Sequence, residues 1–263
     1  MNIVVCIKQV PASSNVKVDP VTGVLIRDGI ESKMNPYDLF ALEEALSLRA
    51  KVGGSVKVIT MGPNAAKAVL TEAIYMGADE GILISDRRFG GADVLATSYT
   101  LSSAIRSLET EEQKVDLILC GKQTTDGDTA QVGPAIAEYL GIPHAAWVSR
   151  LTVNGDGVDA EQQLQDVIET VHMPFPCLVT VEQDICVPRL PSLKTAREIG
   201  DKPVHILGLD AFPDKDESHY GLSGSATQVE RIFPPENDIE HEVWDEGNNA
   251  ERLMTLLKKR KFI

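Results

Sequence analysis

Four short runs rich in apolar and β-branched residues, Ile3 to Ile7, Ser55 to Thr60, Gly81 to Ser85 and Val115 to Cys120, alternate with segments of helical period. This alternation is the strongest constraint on the fold. A strand with one face in water alternates apolar and polar residues, whereas these runs are largely apolar on both faces, as strands are when helices cover both sides of a parallel sheet. The segments between them place Leu39, Leu42, Ala45 and Leu46, then Ala66, Val69, Leu70 and Ala73, then Val94, Leu101, Ile105 and Leu108 on single helix faces. The expected fold is α/β, a doubly wound and mostly parallel sheet.

Helix boundaries carry their own signals. Asn35 before Pro36, with Asp38 in the first turn, reads as an N-cap, a proline at the first helical position and an acid facing the macrodipole. Gly62-Pro63 and Asp93 are expected to open the next two helices, and Gly77 and Gly141 to close theirs. The insertion Val16 to Ile30, with the turn Asp19-Pro20-Val21-Thr22-Gly23, reads as a hairpin. After Gly141-Ile142-Pro143, Trp147 to Val153 and Gln165 to Val171 alternate around the turn Asn154-Gly155-Asp156-Gly157, which predicts an antiparallel edge, and Cys177 to Val181 is a further buried strand. From Glu182 to Pro203 the chain is broken by prolines. It ends in an acidic stretch, Pro234 to Gly247, and an amphipathic helix, Asn248 to Lys261, whose basic end complements the helix dipole. The expected division is an α/β domain over residues 1–203 and an arm with its helix over 204–263, built to wrap a partner.

With 43% hydrophobic residues the 263-residue chain buries a full core, and 39 acids against 25 bases give a net charge of -14 that repels nucleic acid and anionic membrane alike. The apolar run at Met1 to Lys8 is too short for a signal peptide, and no stretch reaches the roughly 20 apolar residues of a spanning helix, so a cytoplasmic protein is expected. Cys6, Cys120, Cys177 and Cys186 lack metal-ligand spacing and read as reduced packing residues; no metal is expected. His144, His172, His205, His219 and His241 sit in no catalytic motif and read as solvated or core histidines. Gly221-Leu222-Ser223-Gly224-Ser225 lacks the G-x-S-x-G spacing and reads as a flexible link. No side chain stands out as catalytic.

One stretch carries chemistry. The strand ending at Cys120 runs into Gly121-Lys122-Gln123-Thr124-Thr125-Asp126-Gly127-Asp128-Thr129-Ala130-Gln131-Val132-Gly133-Pro134 and then a helix with Ile136, Tyr139 and Leu140 on its apolar face. A glycine- and hydroxyl-rich loop between a parallel strand and a helix aims backbone N–H groups and a positive dipole end at its ligand. Thr124, Thr125 and Thr129 suit phosphate oxygens; Asp126 and Asp128 suit capping, loop bracing or ribose hydroxyls. A plain strand-to-helix turn is the alternative. The loop is neither a Walker loop nor a G-x-G-x-x-G turn. Ligands in such sheets bind at the carboxyl ends of the strands, where Cys6 to Gln9, Asn35-Pro36-Tyr37-Asp38 and Thr60-Met61-Gly62-Pro63 also lie. Cys6 and Met61 would offer soft contact to an adenine face.

These residues resemble the β subunits of electron-transferring flavoproteins. The likeness covers nearly the whole chain through Val5-Cys6-Ile7-Lys8-Gln9-Val10-Pro11, Met34 to Asp38 with Glu43-Glu44-Ala45, Met61-Gly62-Pro63, Met76-Gly77-Ala78-Asp79, the Gly121 to Pro134 loop and Pro188-Arg189-Leu190-Pro191-Ser192-Leu193. The resemblance implies an adenine nucleotide held by Cys6, Asn35 to Asp38, Met61, Gly62, Asp93 and Gly121 to Val132. It implies an obligate heterodimer with an α subunit on which residues 204–263 pack. It also implies a recognition loop, 182–203, in which Arg189, Leu190, Pro191 and Leu193 dock a partner dehydrogenase of acyl-CoA dehydrogenase or other flavin type.

Members of this family hold either AMP, as a structural ligand, or an FAD that takes electrons from NADH and bifurcates them, with ferredoxin or flavodoxin as a low-potential acceptor. The sequence Asp126-Gly127-Asp128-Thr129 resembles the FAD-holding members, whose flavin would extend toward Tyr37 to Phe40 and the Phe89 to Asp93 turn. The chain would then be a redox-active electron-carrier subunit and not a stand-alone enzyme. An AMP-binding structural subunit is one alternative; an ATP-binding regulatory module of universal-stress-protein type is another, disfavoured by the arm after Glu182.

Overall fold

The computed structural model describes residues 1–12, 31–199, 204–230, 242–244 and 247–263. Strand β1 (Asn2–Cys6) leads through β2 (Gln9–Pro11) and β3 (Ser32–Met34), an antiparallel pair, into helix α1 (Pro36–Val52). Then follow β4 (Ser55–Met61), α2 (Lys67–Met76), β5 (Glu80–Ile84), α3 (Val94–Leu108), β6 (Leu117–Gly121) and α4 (Val132–Leu140). The second half holds β7 (His144–Asn154), β8 (Gly157–Gln163), β9 (Ile168–Pro174), β10 (Cys177–Val181), α5 (Leu193–Ile199), β11 (His205–Leu207) and α6 (Asn249–Lys259). The hairpin expected over Val16 to Ile30 lies outside the described residues.

Nine strands form the main sheet in the order β11-β5-β4-β1-β6-β10-β7-β8-β9, parallel from β11 to β7 and antiparallel beyond. Successive side chains of a strand point to opposite faces, and both faces are covered here. Ile3 and Val5 of β1 meet Leu42, Ala45 and Leu46 of α1 in one cluster, while Val4 and Cys6 meet Leu101, Ala104 and Ile105 of α3 and Ile136 and Ala137 of α4 in the other. Gly77 and Gly141 end α2 and α4 at φ of 128° and 69°. No helix among the described residues is long and apolar enough to cross a membrane.

The structure corrects four expectations. The antiparallel edge holds three strands: the turn after Asn154 joins β7 to β8, which pairs in turn with β9, so β7 and β9 are not neighbours. The α/β unit does not stop at residue 203, because β11 adds to the open edge of β5 and Leu209, Phe212 and Tyr220 are fully buried beside Phe89. Phe89 and Phe212 stack with centroids 5.5 Å apart. Three histidines, read as lacking a paired acid, each stand beside one at exposed positions: His172 2.7 Å from Asp159, His219 2.6 Å from Asp214 and His205 3.8 Å from Glu80. Residues 221–225 are no free link: Leu222 N–H donates to Gly90 O at 3.0 Å, and Asp93 N–H to Ser225 Oγ at 2.9 Å.

Candidate functional site

At the carboxyl ends of β1, β4 and β6 the chain encloses a cleft of about 500 Å³, where ligands of open α/β sheets bind. Its floor is Cys6, Ile7 and Lys8 after β1, Met61 after β4, and Cys120 to Lys122 after β6. Asp38 enters from α1. One wall is Gln123, Thr124, Gly127 and Thr129 to Gly133; the facing wall is Phe89, Gly91 to Val94, Thr97 and Leu101.

The loop Lys122 to Gln131 carries two non-glycine residues in the left-handed region, Asp128 at φ 53° and Ala130 at φ 55°. Such a conformation costs of order 1–3 kcal/mol per residue unless its surroundings impose it, and here they are specific. Asn35, fully buried, does not cap α1 with its side chain. Instead Nδ2 donates to Gln123 O at 2.8 Å and Oδ1 accepts from Thr125 N–H at 3.2 Å, which pins the loop to the start of α1. Asp128 N–H donates to Thr124 O at 2.9 Å, and the Asp128 carboxylate accepts from Gln123 Nε2. The loop ends at α4, whose first residues have no side-chain cap, so the amides of Val132 and Gly133 and the positive helix end remain for a ligand.

Both cations beside the loop are already matched. Lys8 Nζ stands 2.8 Å from Asp126, and Lys122 Nζ 2.8 Å from Glu182. Burial lifts the Asp126 carboxyl, but Lys8 brings it below its ordinary range. The Glu182 hydrogen bond holds the Lys122 ammonium above its own. An anion in the cleft would therefore meet backbone amides and the Thr129 hydroxyl, together with a Thr124 side chain that also bonds to Asp126, a grip of modest charge.

Asp38 differs from the other acids. It is 4% exposed, and burial pushes its carboxyl up to about 7, although the Asn35 side chain and the Lys8 and Gly121 N–H groups bond to it. As pH rises from the ordinary value of 3.8 through 7, the folded chain must release a proton that the unfolded chain has already lost, so this group makes stability fall with pH. Asp38→Asn keeps an acceptor for Lys8 N–H and removes the ionisation. The drop in urea midpoint between about pH 5 and about pH 8 is expected to shrink in the variant, and an equal drop would show that Asp38 does not titrate there.

Of the residues singled out in the sequence, the cleft brings together Cys6, Asp38, Met61, Asp93, Gly121, Lys122, Gln123, Thr124, Gly127, Thr129, Ala130, Gln131 and Val132. Asn35, Pro36, Tyr37, Gly62, Thr125, Asp126 and Asp128 do not line it. From Tyr37 to Phe40 only Asp38 reaches the cleft; Leu39 and Phe40 pack on the opposite side of the sheet. The Asp93 carboxylate caps α3 by accepting from Ala96 N–H at 3.1 Å, and also accepts from Thr227 N–H and Oγ1 at 2.9 and 3.0 Å. Its oxygens thus brace the wall. Val94, Thr97, Leu101 and Cys120 are not among the residues expected at the site, though Asp93, Thr97 and Leu101 follow at steps of four and share one helix face, and Gly133 of the expected loop joins the lining. Cys120 pairs laterally with Cys6, and contact with Cys6 together with burial holds its thiol well above the ordinary range. Arg189, Leu190 and Pro191 lie in the segment between β10 and α5, Leu193 opens α5, and none of the four lines the cleft.

Comparison with known proteins bears on this geometry. Residues 22–207 match the family described as the electron transfer flavoprotein domain. The chain is 44% identical to the electron transfer flavoprotein subunit beta of Clostridium acetobutylicum over 100% of both chains. It is 43% identical to the protein FixA of Bradyrhizobium diazoefficiens, over 89% of this chain and 83% of that one. With the acryloyl-CoA reductase electron transfer subunit gamma of Anaerotignum propionicum it shares 40% identity over 98% and 97% of the respective chains.

Proposed function

Because the chain belongs to the electron transfer flavoprotein family, as a β subunit, we propose that it binds FAD in the cleft and works in the cytoplasm in a heterodimer with an α subunit. In this role it oxidises NADH with electron bifurcation and exchanges electrons, through the α-subunit flavin, with a partner dehydrogenase. The observation that carries the choice of FAD is the form of the cleft: an amide-rich loop on one side faces a wall kept low by Gly91 and Ala92. The adenine end fits against Cys6 and Met61, the phosphates against the uncapped amides of α4 with Thr124 and Thr129, and the space beside Gly91 admits flavin rings. Since Lys8 and Lys122 are already paired, the grip suits a dinucleotide diphosphate or a monophosphate better than a triphosphate. This counts against an ATP-binding module.

When bound, such a flavin supplies the hydride acceptance from NADH and the division of the two electrons between a high- and a low-potential path, the latter ending on a ferredoxin or flavodoxin. The protein's part is to position and to exclude water. Asn35 and Gln123 hold the loop, Asp38 is buried with its carboxyl raised to about 7, and Asp93 braces the facing wall. In this reading no side chain need act as general acid or base.

The surface supports the partner roles. Helix α6 buries none of its residues within the chain, and Leu253, Met254, Leu256, Phe262 and Ile263 are exposed along and after it, as expected of an arm that packs on an α subunit. Leu190, between two prolines, is 85% exposed and suits insertion into a dehydrogenase. The name of the Anaerotignum relative favours a dehydrogenase of acyl-CoA type.

Gly127 tests the choice of nucleotide. It lies in the loop wall, and a Cβ there would already stand 3.3 Å from Thr124 Oγ1. Gly127→Asp adds bulk and negative charge and is expected to lower FAD retention about tenfold, and AMP retention less, as measured by titrating each nucleotide into stripped heterodimer. Equal retention of FAD by variant and parent would count against the assignment.

A further inference from the structure

Arg189 turns back onto its own chain while its neighbour Leu190 points outward. Its backbone N–H and Nε donate to Glu43 Oε2 at 3.0 and 2.7 Å, and Nη2 donates to Oε1 at 2.8 Å. One carboxylate thus grips both the backbone and the guanidinium, and a bidentate pair of this kind fixes orientation as well as distance. Glu43 lies in the middle of α1 and is only 9% exposed. Burial raises its carboxyl, yet the Arg189 bonds bring it below the ordinary range, so the pair stays charged at neutral pH. Two further ties hold the segment: Cys186 Sγ to Phe40 O of α1 at 3.5 Å, and Ser192 N–H to Tyr75 O of α2 at 3.0 Å. The side chains left pointing outward are apolar, with Val187 88%, Leu190 85% and Leu193 79% exposed.

We infer that Glu43 is a positioning residue, which clamps Arg189 so that Leu190 is presented to the dehydrogenase in one orientation, and that Arg189 acts within this chain and not across the interface. The inference rests on the docking role proposed above. A free loop loses conformational entropy when it docks; a loop already tied at three points loses less, and the saving appears as tighter association. The contact leaves the flavin chemistry untouched, since neither residue lines the cleft.

The test uses the intact heterodimer as electron acceptor for an acyl-CoA dehydrogenase reduced by butyryl-CoA, together with amide hydrogen exchange of residues 186–193 in the heterodimer alone. Glu43→Gln is expected to raise the KM for the heterodimer about fivefold to tenfold while kcat stays within about twofold, with faster exchange in the loop and unchanged nucleotide content. Glu43→Asp, which keeps the charge, should recover part of the KM. Arg189→Lys, on the exposed side of the pair, serves if Glu43→Gln does not fold, with the same direction of change because an ammonium lacks the planar fork that meets both carboxylate oxygens side by side. An unchanged KM in these variants, beside a raised KM in Leu190→Ala, overturns the clamp and leaves docking standing. No effect of Leu190→Ala overturns docking itself and the clamp's role with it.

Discussion

Gly121→Ala is expected to deprive the cleft of the nucleotide proposed for it while leaving the secondary structure in place. A Cβ at this position would stand 2.4 Å from Asp38 Oδ1, 2.6 Å from the Tyr37 carbonyl carbon and 2.8 Å from Asp38 N. Backbone does not yield to such contacts as a flexible side chain would, so the start of α1 and the end of β6 must move apart. Both carry the cleft: Asp38 lines it directly, and Asn35 holds the loop through Gln123 and Thr125. Overpacking of this kind costs about 1–3 kcal/mol, and each 1.4 kcal/mol is about tenfold in affinity. Nucleotide retained through gel filtration should therefore fall about tenfold or more, with an unchanged circular dichroism spectrum. Full retention would mean that the cleft is not built on this approach of helix to strand.

Leu190→Ala is expected to have the second large effect, on a different function. Leu190 is 85% exposed, lies between Pro188 and Pro191, and sits in a segment tied down on both sides. An apolar side chain held rigidly at such a tip has the character of an interface hot spot, where truncation costs about 2 kcal/mol or more. Electron transfer from the dehydrogenase at limiting heterodimer should fall about thirtyfold by the same figure. Nucleotide content should not change. A rate equal to that of the parent would place the docking surface elsewhere.

How much of this was legible in the sequence follows the physics of each element. The strands β1, β4, β5, β6 and β10 are buried on both faces, so their own apolar runs announce them. Strand β8, Gly157-Val158-Asp159-Ala160-Glu161-Gln162-Gln163, carries little hydrophobic signal of its own and forms because β7 and β9 pair with it on both sides. Strand β11 is three residues long and owes its place to the open edge of β5. Neither force is local.

The site shows the same division. The Gly121 to Val132 loop was legible because glycine, hydroxyl and strand-to-helix position coincide, and its facing wall was legible at the Phe89 to Asp93 turn. Asn35 reads locally as a cap, but the loop backbone about ninety residues onward competes for its amide and wins. Residues 221–225 read as a link because they lack the G-x-S-x-G spacing, yet Ser225 and, just beyond, Thr227 bond to Asp93, which no spacing rule foretells. The Glu43–Arg189 pair, 146 residues apart, is of the same kind.

The central claim, that this subunit holds FAD, is tested most directly by releasing the cofactors of the purified heterodimer with acid and quantifying FAD and AMP. Two FAD and no AMP per heterodimer is the predicted result, placing one flavin in the cleft of this chain beside that of the α subunit. One FAD with one AMP would contradict it, and would make this chain a structural and docking subunit in which the cleft holds a nucleotide that takes no part in electron transfer.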